Sequence, residues 1–101
     1  MEFIETTSFI KTKDGILDED ELLELQKFLL LNPDYGDLMP KGKGLRKLRW
    51  AGSGRGKRGG IRVIYYWIKD NERIYLIVAY PKNKQDNLTA QQLKQLTDLI
   101  K

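Results

Sequence analysis

The residues of this sequence that could do chemistry are lysines and arginines, because the chain contains neither histidine nor cysteine. Residues 41–69 hold ten basic side chains and no acidic one, a balance of +10. Surfaces exposed to water usually mix both signs, since neighbouring like charges repel. This segment therefore predicts a partner that supplies the counter-charge, and nucleic-acid phosphates are the usual source. The alternative is a basic surface that serves only solubility.

Composition also limits the kind of site. Without histidine or cysteine, histidine-dependent triads, histidine metal sites and disulfides are excluded. The acidic residues lie mainly in the first 40 positions, and the acidic run at 18–21 is explained by the preference of carboxylates for a helix start. We therefore expect no metal ion and no cofactor. An acidic N-terminus without a signal-like basic region, and the lack of a long apolar run, predict a cytoplasmic protein that does not enter the membrane.

The stretch GSGRGKRGG at 52–60, called here the glycine–cation segment, contains five glycines and three cations. Gly54–Gly59 matches the dinucleotide pattern G-x-G-x-x-G, but that pattern needs a helix after it, and residues 61–68 are β-branched and aromatic like a strand. A Walker phosphate loop fails too, because Lys57 is followed by Arg58. The segment is instead predicted to be a loop whose glycines let its backbone approach a phosphate chain.

The surrounding elements predict an α+β fold over residues 1–101, a single domain in which helices pack on a small twisted, mainly antiparallel sheet. Strands are predicted at 45–51, 60–69 and 73–80, which are rich in Val, Ile, Tyr and Trp. A further short strand is predicted in the N-terminal stretch 1–9. The two strands closest to the C-terminus form an antiparallel hairpin through a tight turn.

Two helices carry capping signatures. Asp18 with Glu21, and Thr89 with Gln92, have the spacing of a capping box, in which two side chains satisfy amides at the helix start. Each helix also has an apolar face at the spacing of core packing. These faces are Leu22, Leu25, Phe28 and Leu29 in the first helix and Leu93, Leu96, Leu99 and Ile100 in the second.

Alternation along 61–68 places Arg62 on one face of its strand and Trp67 on the other. We interpret Trp67 as a core residue, whereas the position of the other tryptophan stays open. A cation inside an apolar strand is expensive to bury unpaired, so Arg62 is expected to open onto a cleft where an anion binds. The alternative is a structural ion pair with a carboxylate such as Glu72 or Asp70.

The chain resembles the RelE/HigB superfamily of toxin–antitoxin toxins, most closely its HigB-like branch, in the segments GLRKLRW, GIRVIYYW, IYLIVAYPKN and DNLTAQQLKQL and in the glycine–cation segment between them. These motifs keep their order and, with LLLNPDYGDLM before them, cover most of the chain. The resemblance implies a RelE-like fold and a toxin that enters the ribosomal A site and cuts translated messenger RNA. The implied partners are the 70S ribosome, the message and a cognate antitoxin with a helix-turn-helix domain.

The resemblance also implies roles, because RelE-like toxins use lysine and arginine where other ribonucleases use histidine. Arg62 would stabilise the pentacoordinate phosphorane. Lys47 is the first choice for the general base, and Lys57 is its rival. Lys82 or Lys84 would protonate the leaving 5′-oxygen. The residues implied to hold RNA are Lys43, Arg46, Arg49, Arg55, Arg58 and Tyr80, the last by stacking on a base or, alternatively, by packing in the core.

The sequence departs from RelE itself in one respect. Residues 85–101 contain no tyrosine that could aid catalysis, and this leaves the acid–base assignment open. Two other function classes stay open as well. ParE-type gyrase poisons share the superfamily fold but do not need the dense cations of 41–62. A non-catalytic RNA-binding protein would explain the charge but not the ordered motifs.

Overall fold

A mixed sheet with helices on both faces forms the described part of the chain. The computed structural model describes residues 1–50, 60–70, 72–82 and 87–99. The elements in these ranges are β1 Glu2–Glu5, α1 Thr7–Lys13, α2 Glu19–Leu31, β2 Asp37–Leu38, β3 Leu45–Trp50, β4 Ile61–Ile68, β5 Arg73–Pro81 and α3 Ala90–Leu99. The strand order is β1-β5-β4-β3-β2, with β1 parallel to β5 and the other neighbours antiparallel. This architecture confirms the predicted α+β class. None of the described helices is long and apolar enough to cross a membrane.

The three central strands agree with their prediction. β3, β4 and β5 begin and end within one residue of the predicted bounds, apart from Ala51, which lies outside the described residues. β4 and β5 pair as the predicted antiparallel hairpin. Asn71 in the turn of that hairpin also lies outside the described residues.

One face of the sheet, called here the core face, packs against α1 and α2. Leu48 and Val63 are cross-strand neighbours on this face, and both are buried together with Phe9 of α1 and with Leu25 and Leu29 of α2. Burial of a contiguous apolar cluster is the main favourable term in folding. The core face therefore determines which side of each strand points away from water.

Both tryptophans belong to the core face. Trp67, as predicted, packs against the apolar cluster, and so does Trp50. The ring of Trp50 lies 5.6 Å from the ring of Phe28 on α2. Leu22 packs on the same cluster, which confirms the predicted apolar face of α2. The tryptophans thus support the helices rather than the opposite side of the sheet.

The opposite face, called here the basic face, packs against α3. Leu93 and Leu96 of α3 pack against a cluster that includes the buried side chain of Ile64. This confirms the predicted packing face for the described part of the helix. The predicted contributions of Leu99 and Ile100 lie outside the described side chains.

The two predicted capping boxes are present. The Asp18 Oδ1 atom accepts from the Glu21 N–H at 2.8 Å, and the Glu21 Oε1 atom accepts from the Asp18 N–H at 3.2 Å. Thr89 and Gln92 make the same exchange at 2.9 and 3.1 Å. These local bonds determine where α2 and α3 begin.

The N-terminal stretch 1–9 differs from the predicted single strand, because α1 begins directly after β1. The Thr6 Oγ1 atom accepts from the Phe9 N–H at 3.1 Å and so caps α1. The same hydroxyl lies 3.0 Å from the carbonyl oxygens of both Leu76 and Ile77, where the register between β4 and β5 shifts. The turn into α1 therefore depends on a contact with a strand about 70 residues away in sequence, which local patterns do not reveal.

A buried tyrosine holds the turn that leads into β2. The Tyr65 hydroxyl donates to the Pro33 carbonyl oxygen at 2.8 Å and accepts from the Gly36 N–H at 2.9 Å. A Cβ atom on Gly36 would lie 2.7 Å from the Tyr65 ring, so the backbone can approach the ring this closely only at a glycine. Burial raises the pKa of the Tyr65 hydroxyl above its ordinary value of 10.0.

We predict that Tyr65→Phe lowers the free energy of unfolding at about pH 8 by about 1–3 kcal/mol, because the buried Gly36 N–H loses its acceptor. The raised pKa means that the fold favours the protonated phenol. This contribution is complete below the unfolded pKa of 10.0 and is lost as the pH rises through the folded value. Urea unfolding should therefore show that the difference in the free energy of unfolding between wild type and Tyr65→Phe becomes smaller above about pH 10. Tyr35→Phe is the matched control, since Tyr35 is 61% exposed, and equal stability of wild type and Tyr65→Phe at pH 8 would contradict the prediction.

Candidate functional site

The register of the central strands brings two arginines side by side on the basic face. Arg49 of β3 is the direct partner of Arg62 of β4, which in turn is the partner of Tyr80 of β5. Directly opposite residues of an antiparallel pair have Cβ atoms about 4.5–5.5 Å apart. Like charges at this spacing repel, so the pair concentrates positive charge at one place on the sheet. An anion bound there would relieve the repulsion.

A carboxylate from β2 reaches this cluster. Asp37 is the register partner of Lys47, and its Oδ2 atom lies 3.2 Å from the Arg49 Nη1 atom. The two side chains of the ion pair are 75% and 57% exposed. Exposed ion pairs contribute little stability, because water and salt screen them. The contact between Asp37 and Arg49 can therefore be exchanged at small cost when another anion approaches.

Lys47 is held by a residue that precedes α3. Its Nζ atom donates to the Asn87 Oδ1 atom at 2.6 Å. Asp37, Lys47, Arg49 and Asn87 supply the polar lining of a cleft of about 380 Å³, a volume within the usual range of small-molecule sites. The remaining lining residues are Leu38, Met39, Pro40, Leu88 and Leu93.

Arg62 lies differently from its prediction. It is only 4% exposed and is not among the described residues that line this cleft, so the structure does not place it at this opening as expected. Of the carboxylates suggested for the alternative ion pair, Asp70 and Glu72 are too far away. Those two residues lie at the turn of the hairpin, just beyond the pair of Ile68 with Arg73. Arg62 lies six residues before Ile68, toward the other end of β4. At about 3.3 Å per residue the separation is about 20 Å.

Tyr80 is buried rather than available for stacking. It is 9% exposed and belongs to the apolar cluster with Leu45, Ile64 and Ile77. Base stacking needs an open aromatic face. The core interpretation of Tyr80 is therefore the one that the structure favours, and the hypothesis that it holds RNA by stacking is corrected.

Arg46 lies on the core face, away from the other basic residues of β3. Its Nη1 atom donates to the carbonyl oxygens of Asp34 and Gly36 at 3.0 and 2.8 Å, and its guanidinium carbon lies 6.0 Å from the centre of the Trp67 ring. These contacts help to hold the same turn that Tyr65 holds. The structure thus gives Arg46 a supporting role, and its contact with RNA stays a prediction.

The remaining predicted cations divide into two groups. Lys43, in the turn between β2 and β3, and Lys82, just after β5, are exposed, as a contact with a polyanion requires. Lys43 has a φ of +53°, a left-handed backbone that is uncommon outside glycine and asparagine. The other predicted cations, Arg55, Lys57, Arg58 and Lys84, lie outside the described residues.

Sequence reasoning missed two polar residues of the cleft, Asp37 and Asn87. Asp37 belongs to a strand of two residues, too short for an alternating pattern, and it lies in the acidic part of the sequence. Asn87 lies two residues before the capping threonine of α3 and has no pattern of its own. The acceptor that each offers to a basic side chain of β3 could be found only from the folded chain.

A family comparison covers most of this architecture. The model of the RelE toxin of the RelE/RelB toxin–antitoxin system matches residues 33–101, about two thirds of the chain. The match begins at the turn before β2 and includes the basic face, the cleft and α3. Proteins of this family act as toxins beside a cognate antitoxin. The order of motifs that suggested the superfamily and the match of the family model agree, and the chain therefore belongs to the RelE toxin family.

Proposed function

We propose that this protein is a ribosome-dependent mRNA endoribonuclease of the HigB-like branch, inhibited by a cognate antitoxin in the cytoplasm. The observation that carries the proposal is the convergence of Lys47, Arg49 and Arg62 on one face of the sheet beside a cleft. Endoribonucleases of this kind join the ribose 2′-oxygen to the neighbouring phosphorus, which needs charge stabilisation, a base and an acid. Membership of the RelE toxin family supports the same activity.

The two arginines provide charge stabilisation in different ways. Arg49 is exposed at the cleft, so it can hold a phosphate directly through parallel hydrogen bonds. Arg62 is buried one strand further in, and its guanidinium keeps a fixed position and a permanent charge. Preorganised charge costs no reorganisation when negative charge develops in the transition state. Arg62 thus acts on the phosphorane mainly through its fixed charge.

Lysines serve the proton transfers and the contact with RNA. Lys82 and Lys84 remain the candidates for the acid, because an ammonium group is protonated at neutral pH. Lys47 and Lys57 remain the lysine candidates for the base. Lys43, together with Arg55 and Arg58 of the glycine–cation segment, would follow the RNA backbone in the ribosome. No step in this scheme needs a metal ion held by the protein.

We predict that Arg62→Ala lowers mRNA cleavage on translating ribosomes by about 100-fold or more, the usual cost of removing one preorganised charged donor. Arg62→Lys should recover only part of the rate, because an ammonium group on a flexible stem does not keep the fixed position of the guanidinium. Single-turnover cleavage, with circular dichroism to check folding, measures the effect.

Arg73→Ala is the matched control for Arg62→Ala, since Arg73 forms an exposed ion pair with Glu2 at the other end of the hairpin. It should cleave at the wild-type rate. Wild-type cleavage by correctly folded Arg62→Ala would remove Arg62 from the mechanism. Intact message with damaged DNA in cells that express the wild-type protein would favour a gyrase poison instead.

We predict that cleavage leaves a 2′,3′-cyclic phosphate on one fragment and a 5′-hydroxyl on the other, because the nucleophile is the internal 2′-oxygen. Nucleases that activate water between two metal ions instead leave the phosphate on the other side of the break. A message with a 2′-deoxy residue at the cut site should bind in the A site and resist cleavage. Fragments that carry a 5′-phosphate, or an unchanged rate on the 2′-deoxy message, would contradict the proposed chemistry.

A further inference from the structure

We propose that Asp37 is the general base of the cleavage reaction, the role that the sequence resemblance assigns to a lysine. The proposal rests on the proposed function, because it concerns the group that takes the proton from the attacking ribose 2′-hydroxyl. Asp37 is the only carboxylate among the described residues that line the cleft. The fold brings it there from outside the basic segment at 41–69.

Protonation states favour a carboxylate for this role. An aspartate is ionised at neutral pH and can accept a proton at once, whereas a lysine is protonated and must first lose its proton. A site that contains both therefore holds a base and an acid in their working forms. This chain contains no histidine. Asp37 and a lysine would together supply the unprotonated base and the protonated acid that two histidines supply in other ribonucleases.

The sheet places Asp37 beside the phosphate-binding groups. Asp37, Arg49 and Arg62 lie on three consecutive strands, β2, β3 and β4, and the carboxylate touches the Arg49 guanidinium at 3.2 Å. Neighbouring strands are about 4.8 Å apart. A phosphate held by Arg49 would therefore place its ribose within reach of the Asp37 oxygens.

The ion pair also explains how the carboxylate becomes available. The guanidinium of Arg49 takes the phosphate as its new partner when RNA binds, since both sides of the existing pair are exposed. Asp37 is then released next to the incoming nucleotide. Its backbone stays in place, because the preceding turn is held by the Tyr65 hydroxyl and by Arg46.

The reaction step balances without a further reactant. The 2′-O–H proton passes to an Asp37 oxygen, the 2′-oxygen forms a bond to phosphorus, and the bond from phosphorus to the 5′-oxygen breaks. The 5′-oxygen takes a proton from a lysine ammonium group. The products are the 2′,3′-cyclic phosphate and the 5′-hydroxyl, and proton exchange with water restores both side chains.

The experiment compares Asp37→Asn with wild type on programmed ribosomes under single-turnover conditions, with two messages. One message is natural, and the other carries sulfur in place of the bridging 5′-oxygen at the cut site. A thiolate leaves without a proton, so the second message needs the base but not the acid. Asp37→Asn should cleave both messages at least about 100-fold more slowly than wild type, the usual contribution of a general base. A loss of rate in Lys82→Gln that comes from the missing acid should be restored on the sulfur message.

Binding to ribosomes separates a catalytic role from a structural one. Asp37→Asn should bind as tightly as wild type or more tightly, because it removes a negative charge from a surface that meets RNA. Asp34→Asn is the matched control, an exposed carboxylate three residues earlier on the same turn, and it should cleave at the wild-type rate.

Three results would overturn the role of Asp37. These are wild-type cleavage by Asp37→Asn, recovery of that variant on the sulfur message, and weak ribosome binding that accounts for its loss of rate. Wild-type fragments that end in a 5′-phosphate would overturn the proposed function itself, so that analysis comes first.

Discussion

The register between β3 and β4 is the constraint on which the basic site depends. On the core face this register pairs Leu48 with Val63 and Trp50 with Ile61, and all four residues pack in the same apolar cluster. A slip of one residue would turn this set toward the other face, so the register is strongly specified. The same register has a consequence on the basic face, where Arg49 must lie directly opposite Arg62. Apolar packing on one side of the sheet thus holds two arginines directly opposite each other on the other side.

The carboxylate that pairs with Arg49 follows a turn that residues on the core face hold. Tyr65 is fully buried on the core face, yet its hydroxyl holds the turn that leads to Asp37. Arg46, also on the core face, binds carbonyl groups of the same turn. A carboxylate on the basic face is therefore positioned by residues on the opposite side of the sheet. The family match begins at this turn, so the turn and the basic face both lie within the matched residues 33–101.

Local patterns allowed much of the fold to be predicted. The alternation of 61–68 placed Arg62 and Trp67 on opposite faces, and the capping boxes located the starts of α2 and α3, because both depend on residues a few positions apart. The burial of Arg62 and Tyr80 depends instead on what lies across the sheet, and Asp37 reaches the site through a strand of two residues. The sequence therefore identified most of the described basic residues of the site. It did not show which of them are exposed to water or which carboxylate forms an ion pair with them.

The unequal exposure of the two arginines suits the proposed contact with RNA. A buried guanidinium such as Arg62 loses no further side-chain freedom on binding, since folding has already immobilised it. An exposed guanidinium such as Arg49 can exchange partners, because its ion pair with Asp37 is screened by water. Hydrogen bonds to a phosphate are stronger when the donor is charged, and RNA offers many phosphates at once. In the proposed function, RNA therefore replaces the carboxylate of Asp37 as the partner of Arg49, and this exchange requires no change in the sheet.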